Sequence, residues 1–113
     1  MRAMIFALVV LAMPFPAASA AQRVYEGEEA SALRCANMMA FTGVTLNRAG
    51  LMGEDEKDVL IGISILILER HVSGSWTEKR RAMEAMRDRR DIDATLEDYQ
   101  RNAPRCLRRF PIN

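Results

Sequence analysis

Two cysteines, Cys35 and Cys106, stand near opposite ends of the chain, and there are no others. If the two sulfurs meet, most of the chain is closed into one loop; if they stay reduced, they are unrelated thiols that constrain nothing. Compartment decides between these outcomes, since disulfides persist in oxidising surroundings and are rare in the cytosol.

The first twenty residues bear on that choice. Arg2 is followed by an unbroken apolar stretch from Ala3 to Met13. A membrane-spanning helix needs about 20 such residues, and this stretch also has no polar face with which to sit as an amphipathic helix. Pro14 and Pro16 end any helix, and Ala18-Ser19-Ala20 offers the small residues that a signal peptidase reads. The pattern predicts a signal peptide over residues 1–20 and a single helical domain over 21–113. No cysteine directly follows the apolar stretch and no twin arginine precedes it, which disfavours a lipid anchor and points to the general export route. The expected location is periplasmic or secreted. There Cys35 and Cys106 should form a disulfide worth about 4 kcal/mol by loop-closure entropy. A redox-active pair fits less well, because the two lack the Cys-x-x-Cys spacing that poises a thiolate.

Hydrophobic periodicity in the mature chain is helical. Ala32, Cys35, Ala36, Met39, Ala40, Gly43 and Leu46 recur at helix intervals behind the acidic Glu28 and Glu29 and before Gly50, predicting a first helix over Glu28–Arg48. The stretch Val59–Leu68 is rich in β-branched residues, yet Glu54, Asp55, Glu56 and Asp58 precede it and Arg70 and His71 follow it, as a helix dipole prefers. A lone strand would also have no partner. Apolar on all sides, this second helix is expected either at the centre of the fold or in a homodimer interface through residues 59–68. Ser75-Trp76-Thr77-Glu78 fits a capping box opening a third helix to about Arg90, with Trp76, Met83 and Met86 inward. A fourth, shorter helix is expected over Asp93–Ala103, with Pro104 interrupting it, Cys106 in a separate turn and an irregular tail from Leu107. These elements predict an all-α fold, a small four-helix bundle closed by one disulfide.

Chemistry is sparse. The only histidine, His71, lies at a helix end and is read as a dipole partner. Lys57, Ser64 and His71 share a stripe, but seven helical residues rise about 10.5 Å, too far for proton transfer, so they are read as the least apolar edge of the second helix. The acidic run at Glu54 lacks the ligand spacing of a calcium loop. The methionines have no spacing that demands copper. No catalytic, cofactor-binding or metal-binding residue is therefore expected. Residues 21–78 carry a net −4 and residues 79–113 a net +4, a polarity able to orient a partner. Arg105, Arg108 and Arg109 beside Phe110 form a possible interaction surface for an acidic partner or a membrane headgroup. The arginines of the third helix are interleaved with Glu84, Asp88 and Asp91, which argues against nucleic acid.

The function expected from these features is non-catalytic binding of another protein. Alternatives are an acid- or stress-responsive periplasmic chaperone, a toxin-neutralising protein of the immunity type, and a membrane-surface binder. Small exported helical proteins with one disulfide include such chaperones and immunity proteins, but no motif ties this chain to either.

Overall fold

Glu28 and Glu29 lie in the first turn of helix α1, Gly27–Arg48, where their charge complements the exposed backbone N–H groups. The helix ends at Gly50, whose φ of +73° admits a Schellman turn: Leu51 N donates to the Leu46 carbonyl at 2.8 Å and Gly50 N to that of Asn47 at 3.0 Å. The computed structural model describes residues 23–113; the expected signal peptide lies outside the described residues. After α1 come α2 over Glu54–His71, α3 over Trp76–Arg89 and α4 over Ile92–Arg109. The fold is a four-helix all-α bundle closed by the Cys35–Cys106 disulfide, with a Cα–Cα separation of 5.8 Å. Among the described residues no helix is long and apolar enough to cross a membrane.

The centre of the bundle is α1, not α2. Ala32, Leu33, Cys35, Ala36, Asn37, Met38, Met39, Thr42 and Gly43 are all buried, so α1 is covered around most of its circumference. The other three helices pack on α1 and hardly on one another. Small residues explain this placement. A Cβ added at Gly43 would lie 3.3 Å from the Leu60 Cβ of α2, so the missing side chain lets the two backbones approach. The apolar stretch of α2 accordingly divides: Leu60, Ser64, Ile67 and Leu68 are buried, whereas Val59 and Ile65 are exposed. Ser64, on the least apolar edge of this helix, is 2 % exposed, and its small side chain serves close packing.

The predicted capping box opens α3: the Ser75 hydroxyl accepts from Glu78 N, and the Glu78 carboxylate accepts from Ser75 N. Its inward face differs from expectation. Lys79 and Ala82 are buried, Met83 and Met86 are half-buried, and Trp76 stands 51 % exposed with the Lys79 ammonium 5.0 Å from its ring centroid. Trp76 is the first residue of α3, and it lines a cleft toward α2.

Helix α4 corrects the expected break at Pro104. The helix continues to Arg109, so the shortest helix is α3, at 14 residues. Proline deprives the carbonyl four residues earlier of its donor, but Gln100 and Pro104 are both exposed and solvent can serve that oxygen. The last turns are anchored on their inner side, by the disulfide at Cys106 and by Phe110, which is 3 % exposed. Beyond them the tail folds back onto α2. His71 Nε2 donates to the Pro111 carbonyl at 2.8 Å, and the His71 and Phe110 rings meet edge to face at 5.4 Å. The imidazole thus holds the C-terminal segment as well as completing the dipole of α2.

The bridge links residues 71 apart, which sets its contribution at about 4 kcal/mol in the loop-entropy account. Reduction, or the Cys35→Ser/Cys106→Ser double variant, should lower the urea midpoint at pH 7 by a corresponding amount and leave the far-ultraviolet helical signal in place below that midpoint.

Candidate functional site

Asp98 is the most heavily bonded side chain in the structure's polar network. Its carboxylate is 9 % exposed and accepts from Arg34 Nε at 2.9 Å and Nη2 at 3.0 Å, from Arg90 Nη2 at 3.1 Å and from Asn102 Nδ2 at 2.8 Å. Two arginines and an amide fill its acceptor positions, so a buried charge is compensated on both sides. The pair Arg34–Asp98 fastens α4 across α1 close to the disulfide: Arg34 is the residue before Cys35, and Asp98 and Asn102 lie about two turns and about one turn before Cys106. These residues, with Ser31, Arg105 and Arg109, line a cavity of about 260 Å³.

A second tie lies at the start of α1. Glu28 receives Arg109 from the end of α4, with Arg109 Nε at 3.3 Å and Nη2 closer still. Its neighbour Glu29 accepts from Ser73 N at 2.9 Å in the α2–α3 turn. The same turn is held by Arg23 Nη2, which donates to the Ser73 hydroxyl at 2.6 Å, and by the Tyr25 hydroxyl, which donates to the Ser73 carbonyl at 2.7 Å. Arg23 and Tyr25, ahead of α1, are thereby fastened to that turn. The Arg109 hydrogen bond holds the Glu28 carboxyl below its ordinary range, and bonds from Ser73 do the same for Glu29. Glu78 is lowered by its backbone bond from Ser75, and Glu54 by its bond from Lys57.

The expected interaction cluster is split by these contacts. Arg105 and Arg108 are exposed, Arg109 is engaged by Glu28, and Phe110 belongs to the core. The apolar residue presented beside the arginines is Leu107, at 37 % exposure.

On the other side of the molecule an apolar cleft of about 530 Å³ runs between α2 and α3. Its walls are Ile61, Ile65 and Leu68 from α2 and Trp76 and Met83 from α3, with Ala40 of α1 as floor. Ala40, Arg80 and Met83 also line an adjoining hollow of about 430 Å³ that continues along Phe41, Val44 and Arg48. Together they form one trough over the strip of α1 that no helix covers. The rim on the α3 side carries Arg80 and Arg87, and Arg48 closes the far end, against a single acid, Glu84. Arg48 and Arg80 have no acidic partner among the described residues. The sequence contained the residues of this trough but not their arrangement, because Trp76 fits an inward helical stripe as readily as an outward one.

Nothing in this geometry assembles a reaction centre from the polar residues of α2. Lys57 pairs with Glu54, Ser64 is buried and His71 is on the C-terminal tail. Among the described residues no group of three or more His, Cys, Asp or Glu side chains could hold a metal ion. No protein-family model matches the chain, and no curated protein or solved structure matches it either.

The Asp98 network generates a direct test. Asp98→Ala leaves Arg34 and Arg90 without their shared acceptor and should cost about 3 kcal/mol, read as a fall in the urea midpoint. Asp98→Asn keeps two acceptor directions on its oxygen and should cost less. Equal loss in both would show that the carboxylate's charge rather than its bond geometry is what holds α4.

Proposed function

We propose that this protein is a small exported interaction module that binds another protein without catalysing a reaction, and that the trough between α2 and α3 receives the partner. What carries the reading is the exposure of Trp76 at 51 % and Ile65 at 44 % on the walls of the same cleft. Large apolar side chains facing each other across a groove are the usual means of seating an amphipathic helix, and tryptophan is prominent among residues that dominate binding energy. The arginine-rich rim specifies the flanks of that helix as acidic. The disulfide supports the oxidising compartment in which such a module would work. Neutralisation of a secreted toxin is one form of this reading.

Trp76 is the only tryptophan in the chain, so its emission reports on the trough directly. A designed helical peptide with leucines at i, i+3, i+4 and i+7 and glutamates elsewhere should shift that emission to shorter wavelength on binding. Its lysine counterpart should not, and Ile65→Glu, at an exposed position, should abolish the shift while leaving the fold intact. Absence of a shift with the acidic peptide, or an unaltered shift in Ile65→Glu, removes the trough as the site. A protein that sediments as a dimer until Ile65→Glu is introduced would assign the trough to a second copy of the chain instead.

A second reading, an acid-responsive chaperone, is favoured by one observation: neighbouring carboxylates at the start of α1 tie down both the end of α4 and the α2–α3 turn. Their folded pKa values lie below the unfolded ones, so the stability they contribute is fully present above the ordinary value of 4.5 and is lost as pH falls through the lowered values. The urea midpoint should therefore drop steeply below that pH, with a rise in binding of a hydrophobic dye. In the Glu28→Gln/Glu29→Gln variant the drop should be shallower. A dye signal that does not change on acidification excludes this role.

A further inference from the structure

The cavity between α1 and α4 has an unusual donor inventory. Arg34 commits Nε and Nη2 to Asp98, and Arg109 commits the same two nitrogens to Glu28. Each guanidinium is thus fixed in orientation by a carboxylate and keeps Nη1 for another acceptor. Arg105 sits on α4 one turn before Arg109 and has no carboxylate or carbonyl partner among the described residues. The Ser31 hydroxyl, half-buried on α1 one turn before Arg34, is likewise uncommitted. All four side chains line the one cavity of about 260 Å³.

The charge arithmetic has the same sign. Asp98 is answered by both Arg34 and Arg90, and Glu28 by Arg109. One excess positive charge therefore remains in the Asp98 cluster and a second on Arg105. Guanidinium groups already held in place lose little freedom when they accept a ligand, and their forked geometry suits tetrahedral oxyanions. The disulfide anchors both walls, since Cys35 and Cys106 line the cavity as well.

We propose that this cavity is a binding site for a phosphate group, independent of the trough between α2 and α3. The phosphate bridges Arg105 on α4 to Arg34 and Ser31 on α1. The chemistry is common to a free phosphate or phosphomonoester and to a phosphomonoester lipid headgroup, and competition between the two separates these sources.

The probe is inorganic phosphate, titrated at constant ionic strength and followed by the amide shifts of Ser31 and Asn102. Saturable binding is expected, with a Kd on the order of a millimolar or tighter. Arg105→Gln, at an exposed and unpaired position, should weaken it about tenfold. Arg108→Gln removes the same charge from α4 outside the cavity and should leave binding within about twofold. Phosphatidylcholine vesicles with and without phosphatidic acid complete the set. Retention by phosphatidic acid that free phosphate reverses names a lipid headgroup as the source, and phosphate binding without retention names a soluble one. Lack of saturation, or equal weakening by Arg105→Gln and Arg108→Gln, overturns the site.

Discussion

Burial of α1 on nearly every side is the constraint from which the remaining architecture follows. A helix in that position must be lined by side chains small enough to let three neighbours approach, and Ala32, Ala36 and Gly43 meet that need where they face other helices. Met38 and Met39 then fill the irregular volume between the outer helices, a task for which an unbranched, polarisable side chain is suited. Among the described residues one buried side-chain polar atom is left without a partner in this packing, the Thr42 hydroxyl. Hydrophobic burial alone does not select which outer helix goes where. That selection falls to directional contacts: the disulfide and the Arg34–Asp98 fork for α4, and Glu29 with Arg23 and Tyr25 for the α2–α3 turn.

Much of this fold could be read from local signals. The acidic starts at Glu28 and Glu54, the basic end at Arg70-His71 and the Ser75-Glu78 box each act within one or two turns, and the helices begin and end where those residues sit. The disulfide was legible because only two cysteines exist. What escaped were facts that depend on partners distant along the chain. Arg34 and Asp98 lie 64 positions apart, and neither residue alone distinguishes a buried fork from two solvated charges. The outward turn of Trp76 was hidden for the same reason. A helical stripe says which residues share a face, but not which face the neighbouring helix takes.

The path of α4 through Pro104 shows how tertiary contacts override a strong local signal. A proline costs a helix one backbone bond and some crowding, about 3 kcal/mol or more in an interior position. Against that stand a covalent link two residues later and the burial of Phe110 beyond it, both on the opposite side of the helix from the exposed Pro104. Because the loss faces solvent and the gains face α1, the helix continues. The same continuation carries Arg105 and Arg109 onto one face, so a residue usually read as a stop sign is here compatible with the proposed phosphate site beyond it.

The near-absence of packing between α2, α3 and α4 has a consequence for how the molecule moves. A bundle whose outer members interlock must open all at once, whereas here each peripheral helix is moored to a common spine through its own set of contacts. Lifting the body of α3 away leaves α4 with its bridge and its Arg34–Asp98 fork, the contact it strains being that of Arg90, at the end of α3, with Asp98. Breathing motions can thus be graded along the molecule, with the α2–α3 side free to widen around a guest while the stapled α1–α4 side keeps its shape.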